Sequence, residues 1–200
     1  MTASSHRYRV LCLPGSLRRD SWNRRLLLAA AAHAPDTLSL QLYDDLGDVP
    51  LFNEDIEPGE LAGVEALRSA AAAADALLIA TPEYNQSLPG VLKNALDWLS
   101  LDGPQGEVLH GKPIAVTGAS SGPWGTRLAQ TALRQVLHAC GALVMPTPTL
   151  FVASAESRLQ ADGTLADEAL AASLRRLTSS LEPWIAQLRP HAEPAGLVSR

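Results

Sequence analysis

The chain has 200 residues, of which 46% are hydrophobic and 18% are charged, and its formal net charge at pH 7 is -5. This length fits one domain that buries a substantial core. We expect a single domain over residues 1–200, with a core from about 8 to 188 and frayed ends. The mild acidity argues against a nucleic-acid-binding protein, because such proteins need a basic surface.

Neither an export signal nor a membrane span is predicted. Pro14 interrupts the first apolar run, which is too short for a signal peptide. The alanine-rich stretches elsewhere are shorter than the roughly 20 apolar residues that a membrane helix needs. Cys12 and Cys140 lie far apart without CxxC spacing, which favours reduced thiols. We therefore expect a cytoplasmic protein that binds no membrane.

Apolar runs of strand length alternate with helical patterns along the chain. In chain order, the pattern predicts strand 8–14, helix 23–33, strand 38–44, helix 60–74, strand 75–82, helix 89–101, strand 112–119, helix 125–140, a fifth strand over 142–146 and 149–153, and helix 167–188. The fifth strand contains Pro146 and is split by Pro148, so we expect it to be broken there.

Continuously apolar strands that alternate with helices are typical of a parallel sheet covered on both faces. Five such units predict an α/β fold, namely a flavodoxin-like three-layer sandwich whose five-stranded parallel sheet has the order 2-1-3-4-5. Ligands of such sheets bind at the carboxyl ends of the strands. Three polar or glycine-rich segments follow predicted strands: residues 15–23, 81–100 and 118–127.

The first segment, GSLRRDSWN, joins the first strand to the first helix. It matches neither GxGxxG nor GxxxxGK[ST], so it predicts neither a dinucleotide-binding Rossmann domain nor a P-loop NTPase. Ser16, Ser21 and Asn23 offer polar groups beside a helix N-terminus, where backbone N–H groups attract anions. Arg18 can add a bidentate contact. The pattern favours a phosphate site, and the alternative is an ordinary cap at Ser21 beside solvated arginines.

The second segment begins TPEYN and follows the third strand. Tyr84 can pack on a planar ligand, and Asn85 can both donate to and accept from a heterocycle edge. A plain polar turn is the alternative. The third segment, GASSGPWGTR, follows the fourth strand, and its glycines allow a backbone to approach a ligand closely.

The third segment also matches the G-x-S-x-G nucleophile elbow at Ser120. Asp162 or Asp167 and then His191 follow in an order that a serine hydrolase can use. However, the GPWG stretch delays the next helix, His191 lies in a Pro/Ala/Gly-rich tail, and no HGGG-like oxyanion segment occurs. A hydrolase that uses this segment is therefore the least favoured alternative.

These three segments, together with GDVPLFNEDIE at residues 47–57, resemble the NADPH-dependent FMN reductase family, and in particular its chromate/quinone reductase and azoreductase-like members. The resemblance covers most of residues 8–188 in matching order and spacing. It implies a flavodoxin-like fold, non-covalently bound FMN, NADPH or NADH as electron donor, and a homodimer or homotetramer. The implied activity is two-electron reduction of quinone, azo, chromate or flavin-type small-molecule acceptors.

The resemblance also implies a set of cofactor-binding residues. The FMN phosphate would be held by Ser16, Leu17, Arg18, Ser21 and Asn23; the isoalloxazine would be bordered by Pro82, Glu83, Tyr84 and Asn85; and a third wall would comprise Ser120, Ser121 and Gly122. Because the flavin carries out the chemistry, we name no catalytic residue. The five histidines lack metal-binding spacing, so we expect no metal.

Two departures from the family pattern occur in the third segment and just after it. Ser121 stands where members often have proline, and Leu128 stands where they often have arginine, with Arg127 one position earlier. The shift leaves open whether this arginine acts in the third wall or between subunits. A flavodoxin-type electron carrier is the alternative in a different class. Arg18 and the modest net charge favour the reductase.

The predicted third helix bears on assembly. Leu92, Leu96 and Leu99 are spaced to face the core, which leaves Val91 and Trp98 for another surface. An exposed apolar face near a ligand favours a subunit interface. This agrees with the oligomer that the resemblance implies.

Overall fold

The computed structural model describes residues 7–160, 164–165 and 167–188. Apart from Arg7, the ends that were predicted to be frayed lie outside these ranges. The strands are β1 Tyr8–Pro14, β2 Leu38–Leu42, β3 Ala76–Ala80, β4 Pro113–Ala119, β5 Leu143–Val144 and β6 Leu150–Val152. The helices are α1 Trp22–Ala32, α2 Ala62–Ala73, α3 Gly90–Ser100, α4 Arg127–Ala139, α5 Ala155–Arg158 and α6 Glu168–Leu188. All the predicted helices are present; the short α5 and two 3-10 helices, Leu46–Asp48 and Pro58–Glu60, were not predicted.

The strands form one parallel sheet with the order β2-β1-β3-β4-β5, as predicted. β6 also pairs with β4, where Thr117 lies opposite Leu150. Two short strands in succession thus fill the fifth position of the sheet, and Pro146 and Pro148 lie between them. The predicted break in the fifth strand is confirmed.

Helices cover both faces of the sheet, and the strand side chains alternate between the two layers. Leu11 and Leu13 of β1 belong to the core that contains α2, α3 and α4, whereas Val10 and Cys12 belong to the core that contains α1 and α6. Because the central strands are buried on both faces, their sequences are continuously apolar. The architecture is the predicted three-layer sandwich.

The last helix, α6, closes one of these layers. Its leucines and isoleucine recur every three or four residues and are buried: Leu170, Leu174, Leu177, Leu181 and Ile185. This spacing places them on one face of the helix, which packs on α1 and the sheet. No helix in the described ranges combines the length and the apolar character that a membrane crossing needs.

The long connection between β2 and α2 is anchored on α3. The side-chain oxygen of Asn94 accepts a hydrogen bond from the backbone N–H of Phe52 at 2.7 Å, and the Trp98 indole N–H donates to the carbonyl of Pro50 at 2.8 Å. The Phe52 and Trp98 rings meet edge-on with centroids 5.0 Å apart. Trp98 is therefore fully buried. The prediction that it faces a free surface is wrong, because the connection covers that side of α3.

A buried arginine on α2 organises the connection between α3 and β4. The guanidinium of Arg68 donates to the backbone carbonyls of Trp98, Leu101 and Gly106, each at 2.8 Å. A fourth hydrogen bond reaches the side-chain oxygen of Gln105 at 3.2 Å. Burial lowers the pKa of Arg68. The hydrogen bonds compensate for that burial and give the connection a defined shape.

We expect Arg68→Met to lower the free energy of unfolding by about 2–4 kcal/mol, because the methionine keeps an apolar stem but leaves buried carbonyls without a donor. Urea unfolding followed by circular dichroism measures this change. Arg176→Met is the matched control, since Arg176 is an exposed arginine on α6, and its effect should stay within about 0.5 kcal/mol. Equal losses in the two variants would contradict the role of Arg68.

Candidate functional site

The three polar segments meet at the carboxyl edge of the sheet around a cavity of about 100 Å³. Nine of the twelve predicted site residues line it: Ser16, Arg18, Ser21, Asn23, Pro82, Glu83, Tyr84, Ser120 and Ser121. Trp22 and Ala119 also line the cavity but were not predicted. Their only sequence signal is their position between or beside predicted residues.

Three predicted residues lie outside the lining of this cavity. Leu17 is 60% exposed and lines a neighbouring cavity of about 550 Å³, which shares Ser16 and Arg18 with the first. Asn85 is exposed in a turn next to Tyr84. The carbonyl of Gly122 accepts a hydrogen bond from the backbone N–H of residue 154 at 3.1 Å. All three therefore lie beside the cavity rather than in it.

The first segment presents unused hydrogen-bond donors. Ser21 caps α1, since its hydroxyl oxygen accepts from the backbone N–H of Arg24 at 3.3 Å. The backbone N–H groups of Leu17, Arg19 and Asp20 have no acceptor within the described ranges. The exposed guanidinium of Arg18 has no ion-pair partner among the described residues either. An anion at this helix N-terminus can therefore take several donors at once.

Asn23 connects the first segment to the third. Its side-chain Nδ2 donates to the carbonyl of Ala119 at 3.0 Å, and its Oδ1 accepts from the backbone N–H of Ala119 at 2.9 Å. Asn23 is buried. The amide thus docks the start of α1 against the end of β4, and a second hydrogen on Nδ2 stays available.

The second segment contains a tight turn over residues 84–87. The backbones of Tyr84 and Ser87 exchange two hydrogen bonds, at 3.1 and 3.0 Å. Asn85 and Gln86 at its centre have φ values of +50° and +66°, the arrangement of a type I′ turn. Asparagine tolerates this conformation, whereas glutamine adopts it at a cost of order 1 kcal/mol. The hydroxyls of Ser16 and Tyr84 lie 3.3 Å apart and join the turn to the first segment.

Glu83 connects the second segment to α4. Its Oε2 accepts hydrogen bonds from the backbone N–H groups of Leu128 at 2.8 Å and Ala129 at 3.0 Å. These donors belong to the first turn of α4, whose own cap residue, Thr126, makes no side-chain capping bond. The carboxylate therefore caps a helix that is 45 residues away in sequence.

The third segment approaches the second so closely that residue 118 has to be glycine. A Cβ at Gly118 would lie 2.2 Å from the carbonyl oxygen of Thr81 and 2.2 Å from the hydroxyl oxygen of Thr126. Next to this contact, the side-chain amide of Gln130 donates to the Thr126 hydroxyl and to the carbonyl of Leu150, both at 3.0 Å. A buried polar layer thus supports the third wall of the cavity.

The geometry does not support the serine hydrolase alternative. The hydroxyl of Ser120 donates to the carbonyl of Gly125 at 2.9 Å, and α4 begins only at Arg127. The Asp167 carboxyl is held by the guanidinium of Arg158 at 2.6 Å, which also keeps the pKa of that carboxyl below its usual value. Asp162 and His191 lie outside the described residues. Within the described ranges, Ser120 has no catalytic partner.

The departures at the start of α4 have a visible consequence. The guanidinium of Arg127 lies over the ring of Phe151, 5.3 Å from its centroid. Leu128 is 50% exposed. The arginine is therefore directed towards β6, and an apolar side chain stands at the following position.

Neither metal coordination nor thiol chemistry is visible in the described part of the chain. No group of three or more His, Cys, Asp or Glu side chains there has metal-binding geometry. Both cysteines are free thiols. Burial in β1 raises the pKa of Cys12 to about 12, so this thiol stays protonated at neutral pH and has a structural role.

The comparisons with known proteins agree with this geometry. An NAD(P)H-dependent FMN reductase of Pseudomonas aeruginosa is 41% identical over 182 residues, which cover 90% of this chain and 97% of that protein. A 2-hydroxy-1,4-benzoquinone reductase of a Burkholderia species is 39% identical and is matched over 98% of its length. The solved structure of FerB, a flavoenzyme NAD(P)H:(acceptor) oxidoreductase of Paracoccus denitrificans, superimposes with a TM-score of 0.79 at 35% identity, covering 90% of this chain and 98% of FerB.

The family model of NADPH-dependent FMN reductases matches residues 8–157, which span all three segments of the site. The relatives also confirm the predicted flavodoxin-like fold and the predicted oxidoreductase class, since all three are named as reductases or oxidoreductases and not as hydrolases. The chain therefore belongs to the NADPH-dependent FMN reductase family.

Proposed function

We propose that the chain binds FMN at the junction of its three polar segments and uses it to reduce quinone-type acceptors with electrons from NAD(P)H. The observation that carries this proposal is the convergence of nine predicted site residues on one cavity at the carboxyl edge of the sheet. The names of two relatives support the same reaction class: the P. aeruginosa protein is named an FMN reductase and the Burkholderia protein a benzoquinone reductase.

The cavity fits the phosphate end of FMN. Its volume of about 100 Å³ suits a phosphate group and is too small for a three-ring isoalloxazine. The unpaired N–H groups of Leu17, Arg19 and Asp20, the helix N-terminus at Ser21 and the guanidinium of Arg18 form the donor set that a phosphate prefers. Asn23 adds its remaining amide hydrogen.

The isoalloxazine then lies against the outer sides of the second and third segments. Tyr84 is 45% exposed there and offers an aromatic face, while the turn fixes the backbone of Pro82–Asn85. Ser120, Ser121 and Gly122 border the opposite side. The chemistry supplied by bound FMN is the transfer of two electrons from NAD(P)H to an acceptor. The residues of the chain bind and orient, and we assign none of them a catalytic role.

We propose quinones as the acceptor class because the rim of the site includes several exposed apolar side chains. Leu17, Tyr84 and Leu128, in the first two segments and the adjoining first turn of α4, have exposed fractions of 60%, 45% and 50%. A flat, uncharged ring gains more from such a rim than a chromate ion does. Azo compounds and free flavin share the planar apolar character, so the rim does not separate them from quinones; the relative named as a benzoquinone reductase favours quinones.

We also propose a cytoplasmic location. The two free cysteines support it, because reduced thiols persist where glutathione and thioredoxin keep them reduced. The required NAD(P)H is available in the same compartment.

The direct test is an NAD(P)H oxidation assay with 1,4-benzoquinone, using protein reconstituted with FMN. We expect turnover that depends on FMN and on the quinone, because the site holds flavin and leaves its ring open to small acceptors. A panel of azo dye, chromate and free FMN as acceptors ranks the classes. FMN binding without turnover on any acceptor would favour the electron-carrier alternative, and no FMN binding would contradict the proposal.

We propose that the protein forms a homodimer or a homotetramer. The exposed side chains of Leu51 at 86% and Trp124 at 77% are apolar surface that assembly can bury. We expect sedimentation velocity at micromolar concentration to show a species of two or four subunits. Leu51→Glu or Trp124→Glu should shift this species towards monomer. A monomer at every concentration tested would contradict the proposal.

Arg18 provides a test of the phosphate assignment. Two charge-assisted hydrogen bonds to phosphate are worth roughly 1.5–3 kcal/mol, so Arg18→Ala should weaken FMN binding by about 10- to 150-fold. Riboflavin lacks the phosphate and should lose much less affinity. Fluorescence titration of both flavins measures the difference.

Arg19→Ala is the matched control for this measurement, because it removes only an exposed side chain that does not line the phosphate-sized cavity and keeps the backbone N–H that we assign to the phosphate. It should change FMN affinity by less than about threefold, since solvent screens an exposed charge. Equal losses for FMN and riboflavin in Arg18→Ala would show that Arg18 supports the fold rather than the phosphate.

A further inference from the structure

Among the side chains predicted to border the isoalloxazine, Glu83 stands out within the described chain because it makes two hydrogen bonds to another element. Its Oε2 accepts from the backbone N–H groups of Leu128 and Ala129, at 2.8 and 3.0 Å. The resemblance to the family implied only that Glu83 borders the isoalloxazine. The carboxylate instead makes a structural contact with the first turn of α4.

The cap that α4 would ordinarily use is occupied. Thr126 precedes the helix, but its hydroxyl accepts a hydrogen bond from the Gln130 side chain at 3.0 Å and makes no capping bond. The first N–H groups of a helix have no partner within the helix and carry a partial positive charge. A carboxylate satisfies both requirements, and its hydrogen bonds are charge-assisted.

The contact lies immediately before the strained turn at residues 84–87. Gln86 has a φ of +66°, which a glutamine adopts only when its surroundings hold it there. Within the described chain, two hydrogen-bonded contacts hold this turn from outside: Glu83 bound to α4, and the Tyr84 hydroxyl beside that of Ser16 at 3.3 Å. The second contact joins two partly or fully exposed hydroxyls and is therefore the weaker one.

We propose that Glu83 is a positioning residue for the flavin: by capping α4 it fixes the 84–87 turn relative to the third segment, and so sets the gap in which the isoalloxazine binds. The inference rests on the proposed FMN function. It assigns Glu83 no proton transfer. The carboxylate instead connects the second segment to α4, directly after the third segment, and these two segments approach each other at Gly118.

The test compares Glu83→Ala with Glu83→Gln. Alanine removes the acceptor, whereas the amide oxygen of glutamine can still accept from both N–H groups. We expect Glu83→Ala to raise the FMN dissociation constant roughly 10-fold or more and, at saturating FMN, to change the visible circular dichroism of the bound flavin. Glu83→Gln should keep the FMN affinity within about threefold of wild type and keep the wild-type visible circular dichroism of the bound flavin.

Glu60→Ala is the matched control, since Glu60 is exposed in the connection before α2 and no hydrogen bond of its side chain occurs in the described chain. If Glu83→Ala does not fold, Glu83→Asp gives the same comparison, because it keeps the charge but is too short by one methylene group. A variant that melts earlier but shows the wild-type spectrum and affinity would overturn the inference, since Glu83 would then be a helix cap only. Wild-type protein that binds no FMN would instead overturn the proposed function.

Discussion

The close contact between the ends of β3 and β4 is the constraint on which the site depends. A Cβ at Gly118 would overlap the carbonyl oxygen of Thr81, at 2.2 Å, and no rotation of a side chain relieves a clash with backbone. Because residue 118 is glycine, the second and third segments lie against each other. This approach brings Glu83 within hydrogen-bonding distance of α4 and closes one side of the cavity.

Hydrogen bonds within the protein then hold the three segments together before any ligand binds. Asn23 connects the first segment to the third, Glu83 connects the second to α4, and Ser16 meets Tyr84. Polar side chains that were expected to bind the flavin therefore form hydrogen bonds to other parts of the protein. Among the described residues, the donors of the site that stay unused are mainly backbone N–H groups of the first segment and Arg18. Such a site is preorganised, so less ordering has to accompany binding of the cofactor.

The strands and helices were predictable because the chain keeps one regular pattern throughout. β1 has the predicted bounds, and α2 and α4 begin two residues later than predicted. The errors have specific causes. Trp98 was placed on a free surface because helical periodicity carries no information about the connection that packs over α3. The buried role of Arg68 was missed for the same reason: its partners are carbonyls of α3 and of the connection that follows it, 30 to 38 residues away.

The sequence by itself determined the fold class, the sheet order and the residue types that gather at one edge, because apolar periodicity and turn residues are local properties. It also indicated a phosphate site, since hydroxyls, an amide and arginine occur together in one short segment. Only the tertiary structure decided how these polar groups are used. Whether Asn23 or Glu83 bonds to a ligand or to another segment depends on distances between elements far apart in sequence, and packing of the helices on the sheet sets those distances.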